Sequence, residues 1–114
     1  MEHNRKCTKE EIRLIGFLAE KANFRLDDNW EENIWAHPLT DKEVGSIGIL
    51  YDKNENYTSK ESFEISSCKF NDTDGIDVVA YLLVDADDNL NELDIWKCDY
   101  SIIKKVPDTF ECME

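Results

Sequence analysis

Apolar residues recur at helical spacing near the start of the chain. The run EEIRLIGFLAEKA occupies residues 10–22. Its apolar stripe consists of Ile12, Ile15, Leu18, Ala19 and Ala22, with Leu14 and Phe17 at its margins. Thr8 and Glu11 have the spacing of a capping box, which is typical of a helix N-terminus. The pattern predicts a helix of about fifteen residues.

Strand-like patterns fill the second half of the chain, after an irregular connection, 23–41, in which no period holds. The strand-like stretches are 46–52, 62–70, 76–84 and 90–100. The third is continuously apolar, as in a central strand, and a change of phase at Cys68 suggests a bulge in the second. The sequence therefore predicts an α+β fold in a single domain, 1–114. An N-terminal helix packs on an antiparallel sheet of about four strands arranged as a meander.

The composition is strongly acidic, with a formal net charge of −13 at pH 7. Hydrophobic residues still make up 41% of the 114 residues, which favours a globular domain over disorder. Such a charge repels nucleic acid and anionic membranes and accelerates encounter with basic proteins. The first residues have no signal-peptide pattern, and no apolar run is long enough to span a bilayer, so we expect a cytoplasmic protein. A purely solubilising role for the charge is the alternative.

The most acidic segment, 72–100, carries nine carboxylates and one cation, Lys97. The DADDN stretch resembles a calcium loop, but a frame that begins at Asp85 has Leu90 at position 6 and Trp96 at position 12. An EF-hand needs glycine and glutamate at those positions. A frame that begins at Asp72 fails at position 5, which is Ile76. We therefore expect no metal and no cofactor.

The four cysteines are widely separated and form no C-x-x-C pair. Zinc binding and thioredoxin-type chemistry therefore have no support. In a reducing cytosol the simplest interpretation is free thiols, with Cys68 and Cys98 packed within strands, although the spacing leaves a disulfide open.

Enzymatic chemistry has one candidate, the carboxylate pair Glu92 and Asp94. Alternation along a strand puts both on one face, where like charges raise a pKa as a general acid requires. No nucleophile, oxyanion donor set or phosphate-binding glycine loop accompanies them, and His3 and His37 lie in a terminus and an irregular stretch. We therefore expect a protein that is not an enzyme, with a small hydrolase as the less favoured alternative.

Protein recognition is the better interpretation of the acidic segment. Leu93 and Ile95 point to one side of their strand, and Glu92, Asp94, Trp96, Cys98 and Tyr100 to the other. Aromatic anchors among carboxylates resemble an interface hot spot that a basic partner approaches. A second acidic-aromatic patch is expected in DNWEENIWAHP. The candidate partner-binding residues are Asp77, Asp85, Asp87, Asp88, Glu92, Asp94, Trp96, Asp99, Tyr100, Trp30, Glu31, Glu32 and Trp35. Simple packing of the tryptophans in the core is the competing interpretation.

The run from Asp72 to Pro107 resembles the C-terminal part of a family of small, functionally uncharacterised bacterial proteins. The similarity lies in a DG turn, an apolar strand that ends in an aspartate turn, and the block ELDIWKCD closed by a proline. TKEEIRLIGFLAEKA and GSIG are similar to the opening helix and a glycine-containing strand of that family. The resemblance carries no reaction, so it assigns no catalytic residue. In size and charge such proteins are similar to immunity proteins, which bind and block a bacterial toxin.

The expected function is therefore that of an immunity-type protein, which neutralises a basic toxin, such as a nuclease, by stoichiometric occlusion. The alternatives are an acidic binding or regulatory module with no toxin partner, and the small hydrolase. The sequence does not distinguish them further.

Overall fold

The computed structural model describes residues 4–40, 45–58 and 60–107. The elements are β1 (Arg5–Lys6), α1 (Lys9–Lys21), a 3-10 turn (Trp30–Glu32), β2 (Trp35–Pro38), β3 (Ile47–Leu50), β4 (Phe63–Asn71), β5 (Asp77–Val84) and β6 (Leu90–Lys97). Among the described residues, no helix is both long and apolar enough to cross a membrane.

The described strands form one antiparallel sheet with the order β1-β2-β3-β6-β5-β4. The predicted α+β class and the pairing of β5 with β6 through DADDN are confirmed. The predicted number of about four strands is wrong, because the described sheet has six. The meander holds for β4, β5 and β6 only, since β3 pairs with β6 and the chain crosses over before it enters β4.

Two short strands were missed in the part of the chain expected to be irregular or N-terminal. β2 is four residues long and pairs with β1 and β3, and β1 has only two residues. Strands of this length hold too few residues to show a period of two. Their pairing, rather than their sequence pattern, therefore defines them.

Helix α1 begins with the predicted capping box. The Glu11 amide donates to the Thr8 hydroxyl, and the Glu11 carboxylate accepts from the Thr8 amide. Arg5 on β1 donates to both oxygens of Glu11, so the first strand is tied to the first helical turn. The buried side of α1, which consists of Leu14, Ile15, Leu18 and Ala19, packs on β4 and β5.

The sheet has two different faces. The helix face contacts α1 and carries the alternate residues Val78, Ala80 and Leu82 of β5 and Leu93 and Ile95 of β6, all of them buried. The open face carries Val79, Tyr81 and Leu83 of β5 and Glu92, Asp94 and Trp96 of β6, which are half-buried or exposed. The prediction that Leu93 and Ile95 lie opposite Glu92, Asp94 and Trp96 is confirmed.

The predicted irregularity in β4 is present, but it lies earlier than expected. The register with β5 shifts between Glu64 and Ser66, three residues before the expected position at Cys68. The shift turns Ser66, Cys68 and Phe70 toward the helix face, where all three are buried. The sequence showed the change of phase, whereas the partner strand fixes its position.

A buried ion pair anchors the segment that follows β6. Lys97 is buried, and its Nζ donates to Asp72 at 2.9 Å, to Asp74 at 2.6 Å and to the Ile102 carbonyl at 3.3 Å. Asp72 also accepts from the amides of Lys104 and Lys105. Ile103 and Val106 are thereby held in the core.

We predict that Lys97→Met destabilises the protein severely. The substitution leaves Asp72 buried without its counter-charge and the Ile102 carbonyl without a donor, and breaking a buried pair costs far more than losing an exposed one. Thermal unfolding should show a Tm lower by roughly 10 °C or more. Lys104→Met is the control, because its Nζ lies 3.8 Å from Asp74 on an exposed side chain. Equal, small shifts for the two variants would contradict the anchoring role of Lys97.

A second close contact concerns Gly48 on β3. A Cβ atom built there would overlap the ring of Tyr57, so the tyrosine ring lies directly on the glycine backbone. Residues 51–58 thus cover the part of the open face above β3.

Gly48→Ala should therefore destabilise the protein by about 1–3 kcal/mol, because Tyr57 has to leave its position. Gly16→Ala is the matched control. Its Cβ would lie 3.5 Å from Trp30, an ordinary contact, and alanine favours a helix over glycine by about 1 kcal/mol. Urea unfolding of both variants measures the difference, and an equal effect of the two would contradict the close packing of Tyr57.

Candidate functional site

The open face has its acidic centre on β6, a strand that lies between β3 and β5. Glu92, Asp94 and Trp96 project from it in succession because side chains on one face are two residues apart. Across the sheet, Glu92 is opposite Gly48 on one side and Leu83 on the other, and Asp94 is opposite Tyr81. The pair therefore lies in the middle of the sheet rather than at an edge.

Tyr57 closes one side of the carboxylate pair. Its hydroxyl donates to Oε1 of Glu92 at 3.1 Å. The Tyr57 ring stacks on His37 of β2, with centroids 5.2 Å apart and an interplanar angle of 9°. Nδ1 of His37 lies 3.1 Å from Oδ1 of Asn4, so a series of contacts connects Asn4 through His37 and Tyr57 to Glu92. These contacts position one oxygen of Glu92.

The Asp94 carboxylate disfavours the charged form of Glu92. Partial burial, followed by the close approach of the Asp94 carboxylate, raises the pKa of Glu92 to about 7. Burial and the neighbouring Glu92 likewise raise the pKa of Tyr57 to about 12, so the tyrosine stays a hydrogen-bond donor. Glu92 therefore takes up or releases a proton near neutral pH.

An exposed aromatic stack lies beside the pair. Trp96 and Tyr100 are 39% and 76% exposed, and their rings stack with centroids 6.1 Å apart at an interplanar angle of 16°. Tyr100 has a φ of 62°, which is costly for a residue other than glycine. Its amide donates to the Lys97 carbonyl, and Asp99 accepts from the amide and hydroxyl of Ser101. The turn after β6 thus holds Tyr100 on the surface beside Trp96.

The aspartates of the DADDN turn are placed differently from one another. Asp85 is buried, accepts from the amides of Asp87 and Asn89, and pairs with Lys60 at 3.4 Å. It is therefore a structural residue of the turn, and the surface that we propose below does not include it. Asp87 and Asp88 are exposed at the tip of the turn. Asp77 pairs with Lys69 at 3.9 Å.

The expected second acidic-aromatic patch does not form as one surface. Trp30 packs beside Gly16 of α1, next to the exposed Glu31 and Glu32. Trp35 is on β2 and is contacted by two cations. Nζ of Lys6 lies 4.4 Å from the ring centroid and Nζ of Lys53 5.9 Å, so the two lysines make cation-π contacts with it. The open face thus has two lysines over Trp35 and two carboxylates on β6.

The cysteines and metal ligands give no second site among the residues described. Cys7, Cys68 and Cys98 form no disulfide with one another, while Cys112 lies outside the described residues. Cys98 was expected to be packed, but it follows the last residue of β6 and is exposed. Within 4–40, 45–58 and 60–107, no group of three or more His, Cys, Asp or Glu side chains could hold a metal ion.

The sequence analysis missed the residues that contact the site although they are far from it in the sequence. Tyr57 and His37 reach Glu92 only because β2, β3 and β6 are neighbours, and the long crossover between β3 and β4 gives no periodic signal. Lys97 had a visible signal, as the single cation among nine carboxylates in 72–100. A second signal is that Lys97 shares its strand face with apolar residues, which indicates a buried position.

A family model for a domain of unknown function, DUF6984, matches residues 4–107. The chain belongs to the DUF6984 family. No curated protein and no solved structure matches it. The expected membership of a functionally uncharacterised family is thus confirmed. The family description assigns neither a role to the ELDIWKCD block nor a likeness to immunity proteins.

The raised pKa of Glu92 makes folding stability depend on pH. Between the ordinary value of 4.5 and the folded value of about 7, the folded state binds more protons than the unfolded state. The free energy of unfolding therefore falls as the pH rises through this window. Glu92→Gln cannot ionise, so its Tm should fall less than that of the wild type between pH 5 and pH 8.

The control for this measurement is Glu20→Gln, which changes the charge equally on the exposed side of α1. At pH 8 the Glu92→Gln variant should be more stable than the wild type, and the Glu20→Gln variant should follow the wild-type pH profile. Parallel profiles for wild type and Glu92→Gln would show that Glu92 does not titrate in this range.

Proposed function

We propose that this DUF6984 protein is an immunity-type binding protein that neutralises a basic bacterial toxin by occluding it in a one-to-one complex. The observation that carries the proposal is the juxtaposition on the open face of the Trp96 and Tyr100 stack with the Glu92 and Asp94 pair. Exposed aromatic rings supply most of the binding energy in protein interfaces, and charged neighbours guide association. We call these four residues the docking surface.

The geometry supports a protein partner more than a small substrate. The docking surface is central on a sheet face rather than in a deep cleft. A cavity of about 510 Å³ between the end of α1 and Trp30 lies apart from this surface. A smaller cavity of about 160 Å³ has Trp96 and Tyr100 in its wall, together with Ser46 and Ile103, and its described lining includes neither Glu92 nor Asp94. A broad face with protruding rings fits a complementary protein surface.

The charge of the chain supports a basic partner. A net charge of −13 creates a long-range attraction for cationic proteins. Nuclease toxins carry basic surfaces because they bind phosphates, so an acidic protein that covers such a surface blocks the substrate. Inhibition by occlusion needs no catalytic group in the inhibitor, and it takes place in the cytoplasm, where such a toxin acts.

The hydrolase alternative has one supporting observation, the pKa of about 7 for Glu92. A glycoside hydrolase, however, keeps its two carboxyl groups at least about 5 Å apart to admit the sugar or a water molecule. Here the Asp94 carboxylate lies close enough to Glu92 to raise its pKa, and the Tyr57 hydroxyl occupies one oxygen of Glu92. This close pair favours the binding function over the hydrolase.

Growth rescue tests the function directly. The product of the gene next to this one is expressed from an inducible promoter, with and without this protein. We expect growth arrest by the neighbour alone and recovery on co-expression, accompanied by a one-to-one complex in size-exclusion chromatography. Arrest that this protein does not relieve would contradict an immunity role. A complex without any toxicity of the neighbour would favour the alternative of a binding module with no toxin partner.

We predict distinct kinetic effects at the two halves of the docking surface. Glu92→Gln with Asp94→Asn removes two charges, so association with a catalytically inactive toxin should slow at low salt and lose part of its salt dependence. Trp96→Ala should instead raise the dissociation rate by about 30-fold or more, which corresponds to about 2 kcal/mol. Surface plasmon resonance at two salt concentrations measures both rates.

The charge-matched control is Glu10→Gln with Glu20→Gln, which removes two exposed charges from α1 on the other side of the sheet. Thermal unfolding of Trp96→Ala separates interface from core, because a core tryptophan costs about 3–5 kcal/mol of stability. An association rate that falls equally in both double variants would assign the steering to net charge and not to this surface.

A further inference from the structure

The carboxylate pair of the docking surface has no counter-charge within the described part of the chain. Cations of the described residues pair with other acids. Arg5 pairs with Glu11, Lys60 with Asp85 and Lys97 with Asp72. Neither Glu92 nor Asp94 takes part in an ion pair between described residues. Lysines are present on the same face, but Lys6 and Lys53 lie over Trp35, and Lys69 pairs with Asp77.

We propose that the Glu92 and Asp94 pair is the subsite for an arginine side chain of the basic partner, with the Trp96 ring as a stacking wall. Binding of the guanidinium releases to the buffer the fraction of a proton that Glu92 holds in the free protein. This inference rests on the proposed function, since it names the group by which the partner docks. The occupant is an arginine of a protein, and the structure holds three independent features that favour it.

The first feature is the arrangement of acceptors. Tyr57 donates to Oε1 of Glu92, so this oxygen is already occupied, and the Asp94 carboxylate lies close enough to Glu92 to raise its pKa. A guanidinium group has five N–H donors in one plane and can bond two neighbouring carboxylates at once. A bound cation would therefore replace the repulsion between the two acids by attraction to both.

The second feature is the ring that follows on the same strand face. Trp96 is two residues beyond Asp94, is 39% exposed, and is held in position by its stack on Tyr100. Guanidinium planes stack on indole rings, whereas an ammonium group is more strongly hydrated and gains less. The subsite should therefore prefer arginine over lysine.

The third feature is the division of charge on the open face. The lysines over Trp35 repel a basic segment, and Glu92 and Asp94 attract it. The titratable and charged groups on or over this face are Lys6 on β1, His37 on β2, Asp52, Lys53, Glu55 and Tyr57 in 51–58, Glu64 and Lys69 on β4, Asp77 and Tyr81 on β5, Glu92 and Asp94 on β6, and Tyr100. A basic segment consequently has one favourable end of the face, which contains Glu92.

Proton release follows from the state of the pair before binding. At pH 7 the pair holds on average about half a proton, because the pKa of Glu92 is about 7. A guanidinium group favours the doubly charged pair, so this proton passes to the buffer. Binding should then strengthen as the pH rises from 6 to 8, the opposite of the stability trend of the free protein.

The test uses hexa-arginine and hexa-lysine peptides as probes of equal charge. Calorimetric titrations at pH 7 and low salt, in two buffers whose ionisation enthalpies differ, give the number of protons released. We expect about 0.5 protons released for hexa-arginine with the wild-type protein, near zero with Glu92→Gln, and the wild-type value with Glu20→Gln. Hexa-arginine should bind several-fold more tightly than hexa-lysine, and Trp96→Leu should remove that preference.

Three results would overturn the inference: no binding of hexa-arginine at low salt, no proton release, or the same release from Glu92→Gln as from the wild type. These failures are distinct from failure of the proposed function. A protein that rescues growth but gives no proton release docks its toxin through another group. A protein that releases a proton to hexa-arginine but rescues no growth has the arginine subsite and a different partner.

Discussion

The buried pair between Lys97 and Asp72 is the constraint on which the C-terminal half of the structure depends. Burial alone would raise the pKa of Asp72, but hydrogen bonds from the Lys104 amide, Lys97 and the Thr73 and Lys105 amides hold that pKa well below its ordinary value. The carboxylate thus stays charged inside the protein and organises four donors. Through Lys97 it fixes the end of β6, and through two backbone amides it fixes the chain beyond.

The same pair determines what the surface presents. Lys97 faces the helix side of β6, so its neighbour Trp96 must face the open side. The turn that begins at the Lys97 carbonyl places Tyr100 against Trp96 at a positive φ. Interactions a few residues away offset the cost of that backbone conformation. Nζ of Lys97 donates a hydrogen bond to the Ile102 carbonyl, and the Ile103 side chain is buried. The position of the exposed stack is therefore a consequence of the buried ion pair.

Patterns of apolar and polar residues predicted the elements that are long enough to repeat their period. They did not predict the short strands, which are defined by pairing with a neighbouring strand. Helix α1, its capping box and the β5-β6 hairpin were visible because each spans enough residues to repeat. β1 and β2 were not visible, and the partner of β3 could not be read from a segment of four buried residues. For the site, alternation correctly grouped Glu92, Asp94 and Trp96. It could not show that Tyr57 would come from the crossover to cap Glu92, nor that Lys6 would cover Trp35.

Two like charges in the middle of a sheet, those of Glu92 and Asp94, are unfavourable for the free protein. This cost is the main argument for the proposal that the pair binds a cation. Cross-strand neighbours Leu83 and Tyr81 offer no positive charge, although the chain places lysines elsewhere on the same face. Tyr57 relieves only one oxygen of Glu92. A neutral residue at position 92 would remove this cost, as would a cation bound beside the pair. The arginine that we propose would meet two acids that the sheet already holds on one strand face, so less ordering of side chains would oppose its binding.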